Sequence, residues 1–239
     1  MGPNTKNMID ISHISKSFDR QAVLTDISLR IPRGQIVCLL GPSGSGKTTL
    51  IRIILGAIPA DSGEVRIADT IVPNRQLLSR IGFMPQQDAL YENLSAIDNL
   101  AFFAGLYGID RKTFRQRAYE ALQLVGLEAD RDKLVAKFSG GMKKRLSLAV
   151  ATLNNPDVLL LDEPTVGIDP VLRRSIWQQF AQWRAKGKTL LVSTHVMDEV
   201  NECDQAALIN HGRLIAYDTI DNLLQSTQSG HIEELFIRA

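Results

Sequence analysis

Gly41–Thr49 reads Gly-Pro-Ser-Gly-Ser-Gly-Lys-Thr-Thr, the phosphate-loop pattern G-x-x-x-x-G-K-[ST]. Glycines at Gly41, Gly44 and Gly46 let the backbone curl, so that successive N–H groups point inward at phosphate oxygens. The helix that begins at Thr48-Thr49 adds unpaired N–H groups and the positive end of its dipole. Lys47 supplies a charge for the β- and γ-phosphates, and the Thr48 hydroxyl has the chemistry to sit on Mg²⁺. A second cluster is Val158-Leu159-Leu160-Leu161-Asp162-Glu163, four apolar residues ending in two carboxylates. In an open α/β sheet, ligands gather at the C-terminal ends of strands. There Asp162 would hold Mg²⁺, through water, and Glu163 would orient and polarise an attacking water. A third is Phe138-Ser139-Gly140-Gly141-Met142, which begins another helix, Lys143–Thr152, and makes a second anion-binding N-terminus. One nucleotide does not need two such sites from one chain, so a dimer in which Ser139–Gly141 faces the partner's phosphate loop is the economical reading.

These groups need a scaffold. The apolar run Gln35–Leu40 is the buried strand before the phosphate loop, and Thr48–Leu55 is the helix after it. Met8–Ile14 and the alternating Ala22–Ile31 read as strands, a pair that predicts an antiparallel β layer beside the main sheet. Ser62–Ile67 is a turn followed by a short strand, and Ile81–Met84 is a strand stopped by Pro85. From Ser95 to Leu127 the pattern becomes helical. Ser95 suits an N-cap for Ala96–Tyr107, with Leu100, Phe103 and Tyr107 on one face for the local core. Gly108-Ile109-Asp110 breaks that helix, and a second covers about Arg111–Val125. Alternation of strand and helix resumes with Val158–Leu161, the helical Val171–Ala185, Thr189–Val192 and Ala206–Ile209. Asn210-His211-Gly212-Arg213 is then a hairpin turn into Leu214–Tyr217. The fold class is therefore α/β: a phosphate-loop NTPase core with a flanking antiparallel β layer and an inserted α-helical subdomain. Residues 1–87 and 155–239 would form the nucleotide-binding core, and 88–154 the insertion.

Bulk properties narrow the partners. The 239 residues carry 27 basic and 26 acidic side chains, so no basic excess points to nucleic acid, and none is expected as a partner. Cys38 lies in an apolar strand and Cys203 in an amphipathic segment, which suits buried reduced thiols and the cytosol. No signal peptide is evident, and no apolar run approaches the ~20 residues that span a bilayer. Met1–Thr5 reads as a short, flexible polar terminus, and Ser229–Ala239 as the start of a tail.

The motifs together resemble the ATP-binding cassette (ABC) ATPase family over almost the whole chain. The resemblance places Phe18 at the aromatic that stacks on adenine, with a packed core aromatic as the other reading. It makes Gly41–Thr49 the Walker A loop, Gln86 the Q-loop glutamine and Phe138–Met142 the signature. Leu159–Glu163 becomes Walker B, Gly167-Ile168-Asp169 the D-loop and His195 the switch histidine. It implies ATP and Mg²⁺ as ligands and Glu163, His195, Lys47 and Gln86 as catalytic groups. Thr48, Gln86 and Asp162 would surround the metal. The nucleotide would be contacted by Phe18, the phosphate loop, Gln86, Ser139, Gly140, Gly141 and Asp169. It further implies a second copy or homologous ABC subunit, an integral-membrane permease, and a position at the cytoplasmic face of the membrane. Met142 departs from the family's glutamine and lacks its amide hydrogen bonds. The Ser-Gly-Gly-Met variant and Ala89–Leu94 after Gln86 look like the exporter branch with separate permease chains.

Three other classes compete. A chromosome-associated or DNA-repair ABC ATPase would carry a long coiled coil between Walker A and the signature, yet Lys47 and Ser139 are 92 positions apart. A translation factor of this kind would carry two cassettes. A small-molecule phosphate-loop kinase needs neither signature nor switch histidine.

Overall fold

The structure is a computed structural model that describes residues 7–237, so the polar Met1–Thr5 lies outside the described residues. Two sheets share one chain. The first is antiparallel, built from β1 (Asn7–Phe18), β2 (Gln21–Pro32), β4 (Ser62–Ile67) and β5 (Thr70–Ile71) in the order β2-β1-β4-β5. The second contains β3 (Ile36–Leu40), β6 (Ile81–Met84), β7 (Val158–Asp162), β8 (Thr189–Thr194), β9 (Gln205–Asn210) and β10 (Arg213–Thr219). Its order is β10-β9-β3-β8-β7-β6, parallel except for the β9–β10 hairpin. That hairpin turns through His211 and Gly212 at φ 46° and 73°, the left-handed pair a two-residue turn requires.

β3, β7 and β8 are buried at every position, because the parallel sheet is covered on both faces. Alternate residues of each strand serve different cores. Val37, Leu39, Val158, Leu160 and Leu191 pack with the antiparallel sheet and helix α1 (Lys47–Leu55). Cys38, Leu40, Leu159, Leu161 and Val192 pack with the helices of the opposite face. Those helices are α2 (Ala96–Leu106), α3 (Arg111–Leu124), α4 (Gly140–Thr152) and α5 (Pro170–Ala185). Two short C-terminal helices follow, α6 (Ile220–Gln225) and α7 (Glu233–Ile237).

Helix starts follow capping chemistry. Ser95 accepts from the Asp98 N–H at 3.2 Å, as its sequence position implied. Asp110, part of the expected break, caps α3 by accepting from Lys112 and Thr113. Two expectations need correction. α4 starts at Gly140 instead of Lys143, because Ser139 caps it through the Met142 N–H and draws both glycines into the first turn. Of the three residues expected in the helical segment's core, only Leu100 is fully buried. Phe103 packs against that core but is only half-buried, and with the half-buried Tyr107 it lines a surface groove between the helices and β6.

Candidate nucleotide-binding and hydrolytic site

Parallel pairing brings the chemistry to one sheet edge. Leu40 stands opposite Thr194, Asp162 opposite Ser193, and Met84 opposite Leu161. The segments that leave these strand ends carry the phosphate loop, Glu163, His195 and Gln86. A cleft of about 220 Å³ there is lined by residues including Ser43, Gly44, Lys47, Thr48, Gln86 and Glu163.

The phosphate loop has the shape its sequence requires. A Cβ on Gly41 would stand 2.2 Å from the Ile209 carbonyl oxygen, so no side chain fits. Gly46 has φ 105° and precedes α1 without any side-chain cap, which leaves the helix N–H groups free for an anion. Lys47 folds back and donates to the carbonyls of Gly41 at 2.7 Å and Pro42 at 2.9 Å. Burial lowers its pKa from the usual lysine value, while Glu163 and Asp162 push it the other way. Ser45 Oγ is buried without a hydrogen-bond partner.

The carboxylates divide their roles by geometry. Asp162 is buried; its Oδ1 accepts from the Ser193 hydroxyl, and its Oδ2 has no partner. Glu163 is 8 % exposed and accepts from Gln86 Nε2 at 3.3 Å on one oxygen. Its other oxygen lies 3.0 Å from His195 Nδ1. Its backbone is left-handed, φ 53°, a conformation that costs a non-glycine residue about 1–3 kcal/mol. The Glu163 N–H is held at 3.1 Å by both the carbonyl and the hydroxyl of Ser193. Ser193 thus orients both carboxylates. Its only sequence signal was its place at the strand end before His195.

The other expected site residues lie apart. Phe18 is 46 % exposed at the end of β1, with the Lys16 ammonium 5.3 Å from its ring centre, so the core reading does not hold. Ser139 and Gly140 are exposed and outside the cleft lining, and Gly141 is half-buried. A Cβ on Gly141 would lie 3.3 Å from the Gly167 carbonyl, so signature and D-loop adjoin. Asp169 is exposed and caps α5 through the Leu172 N–H at 3.0 Å. Met142 packs its side chain against the helical core. Lys144, two residues further along α4, has its pKa lowered by burial, with Glu163, Asp88 and Asp162 pushing it up.

The residues fit a nucleotide triphosphate with magnesium. Asp162 Oδ2 is a buried acceptor without a donor, and Thr48, in the first turn of α1, lines the same cleft as Glu163. Among the described residues no group of three or more His, Cys, Asp or Glu could hold a metal. One carboxylate and one hydroxyl are oxygen groups of the kind Mg²⁺ takes from a protein, with phosphate and water as its other ligands.

A family model described as ABC transporter matches residues 24–166, more than half of the chain. The chain belongs to the ABC transporter family. It is 40 % identical over 210 residues to Nod factor export ATP-binding protein I of Sinorhizobium fredii, covering 87 % of this chain and 61 % of that one. It is 36 % identical over 245 residues to linearmycin resistance ATP-binding protein LnrL of Bacillus subtilis, covering 97 % and 78 %. A solved ATP-binding subunit of an ABC transporter superposes with a TM-score of 0.87 at 27 % identity, covering 97 % of this chain and 98 % of that one. Another neighbour, at TM-score 0.81 and 27 % identity, is an ATP-binding cassette solved as a dimer in a post-hydrolysis state with ADP and Pi; it covers 89 % and 98 %. The chain is thus an ABC-type ATPase cassette, homologous to ATP-binding subunits of exporters. Among the described residues, no helix is long and apolar enough to cross a membrane.

Proposed function

We propose that this cassette pairs head to tail, with a second copy or a homologous subunit, around two ATP molecules and drives a separate integral-membrane permease in export. It would sit at the cytoplasmic face of the membrane. The observation that carries the hydrolytic part is Glu163, fixed between Gln86 and His195 at the edge of the phosphate-loop cleft. In this reading Glu163 takes up the proton of the attacking water, and His195 and Gln86 hold its carboxylate in place and reach toward the γ-phosphate. Lys47 leaves the loop carbonyls for the β- and γ-phosphates, and Phe18 stacks on the base. Thr48 and Asp162 would hold Mg²⁺, with Gln86 at hand, and the ion would supply positive charge against the charge that develops on the transferred phosphoryl group.

Pairing is supported by Ser139 and Gly140, exposed at a helix start outside the lining of the chain's own cleft. Set against the partner's ATP, that helix start would donate its N–H groups and the Ser139 hydroxyl to the γ-phosphate. The adjoining D-loop, with Asp169, would meet the same interface. Residues 88–154 would then act as the helical subdomain that moves with nucleotide state, through Gln86, relative to a core of 1–87 and 155–239.

The permease site is the groove beside the Q-loop. It encloses about 310 Å³, lined by apolar groups such as Leu78, Phe83, Leu90, Phe103 and Tyr107. Next to it Tyr91 and Phe102, 44 % and 39 % exposed, meet edge to face at 4.6 Å. A groove of this kind accepts the apolar face of a partner helix. Export is favoured because the matched relatives named above are an export ATP-binding protein and a resistance ATP-binding protein.

Glu163→Gln tests the reading. The amide keeps the shape and loses the base. Hydrolysis should fall to near zero while ATP binding persists, and the variant should elute from size exclusion as an ATP-bound dimer. Turnover at the wild-type rate would remove Glu163 from the role, and a monomer in ATP would count against pairing.

A further inference from the structure

Glu199 is a buried carboxylate that none of the roles above uses. It lies in a 3-10 turn, Met197–Glu202, just after β8, and is 4 % exposed. Its Oε1 accepts from the Thr165 hydroxyl at 2.5 Å and its Oε2 from the Thr194 hydroxyl at 2.7 Å. Thr194 Oγ1 in turn accepts from the Val196 N–H at 2.9 Å. Both threonines are buried. A carboxylate is a costly group to bury, and hydrogen bonds offset that cost only where their donors are held in place.

What Glu199 joins is specific. Thr165 is two residues beyond Glu163, and Thr194 is the neighbour of His195. These are the two segments that leave β7 and β8. Glu163 and His195 then meet at 3.0 Å on the far side. The contacts close a ring: Glu163, Pro164, Thr165, Glu199, Thr194, His195 and back to Glu163. Within it Glu163 keeps its left-handed backbone, which persists only where the surroundings over-determine it. Ser193 fixes the N–H end of that turn, and the Thr165–Glu199 bond fixes the other.

We infer that Glu199 is a positioning residue for ATP hydrolysis, acting through Thr165 and Thr194 to hold Glu163 and His195 in working register. It rests on the roles proposed above for those two residues. It touches neither nucleotide nor water itself. A misplacement of about 1 Å at a reacting group costs about 100-fold in rate, which is the scale on which loosening this ring should act. A merely structural carboxylate would change stability and leave the rate of the folded enzyme alone.

The test compares steady-state ATPase kinetics, fluorescent ATP-analogue binding and melting curves of the full chain. The set is wild type, Glu199→Ala, Glu199→Gln, Thr165→Val, Thr194→Val and Glu163→Gln. Glu199→Ala should lower kcat about 10- to 100-fold, with the analogue's Kd within about twofold of wild type. Glu199→Gln keeps the shape and one acceptor oxygen, and should recover most of the lost rate. Thr165→Val and Thr194→Val should each lose part of the rate, and together no more than Glu199→Ala, as members of one network do. Wild-type kcat in folded Glu199→Ala would overturn the inference, as would a loss that Glu199→Gln does not recover. If Glu199→Ala does not fold, the two valine variants decide, and wild-type kcat in both overturns it. Glu163→Gln separates the two levels: its inactivity beside a fully active Glu199→Ala removes Glu199 alone, whereas its full activity removes the parent reading and this inference with it.

Discussion

At the scale of single residues, chemistry is set by what each polar atom lacks or has. Asp162 Oδ2 and Ser45 Oγ are buried without partners, and the helix that follows the phosphate loop starts without a side-chain cap. Buried polar groups are nearly always satisfied, and the open valence of Asp162, next in sequence to the cleft-lining Glu163, suits a ligand there. Glu163 is the opposite case, with both oxygens engaged. Phe18 shows how exposure discriminates two readings of one ring. A core aromatic would be covered, whereas this one offers a face beside Lys16. Base–aromatic stacking is worth about 1–3 kcal/mol. Phe18→Ala should therefore raise the KM for ATP about tenfold, partly offset by phosphate contacts, and Phe18→Tyr should leave it near wild type. Steady-state ATPase assays read both. An unchanged KM in Phe18→Ala with a lower Tm would return the ring to a packing role.

At the scale of elements, the sequence was legible where periodicity and turn chemistry agree. The apolar runs at Ile36–Leu40 and Val158–Asp162 are strands because both faces are covered, and their ends carry the phosphate loop and the carboxylates. The Ser95 cap and the His211-Gly212 turn were equally plain. Other features depend on contacts distant in sequence. Thr70–Ile71 is a strand only by pairing with Arg66 and Ile67. The adjacency of Glu163 and His195 needs β7 beside β8, an order that local pattern does not fix. Glu199 escaped notice because an acidic residue in a polar turn looks solvent-facing until the threonines are seen around it. Phe103 and Tyr107 had the spacing of core residues, yet line the groove beside the Q-loop. That groove gives an element-scale test. Tyr91→Ala or Phe102→Glu should release the chain from its permease in a pull-down, with the basal ATPase rate and the melting curve near wild type. Retained binding in both variants would remove this docking face, and loss of fold together with binding would make the rings structural.

At the scale of the whole molecule, the proposed pairing rests on two features of one chain that do not meet within it. The phosphate loop, Asp162 and Glu163 line or border one cleft, while Ser139 and Gly140 lie exposed elsewhere on the surface. The near-zero net charge leaves close apposition of two such copies without strong repulsion. A two-fold pair would give two equivalent composite sites, each with the phosphate loop of one chain and the signature of the other. Mixing Lys47→Ala chains with Ser139→Ala chains, each inactive alone, tests this arrangement most directly. In a mixed dimer one site carries both lesions and the other carries neither. Random exchange makes about half of the dimers mixed, so ATPase activity should return to about a quarter of wild type. A mixture that stays as inactive as either parent, with exchange between the chains verified, would contradict the composite site.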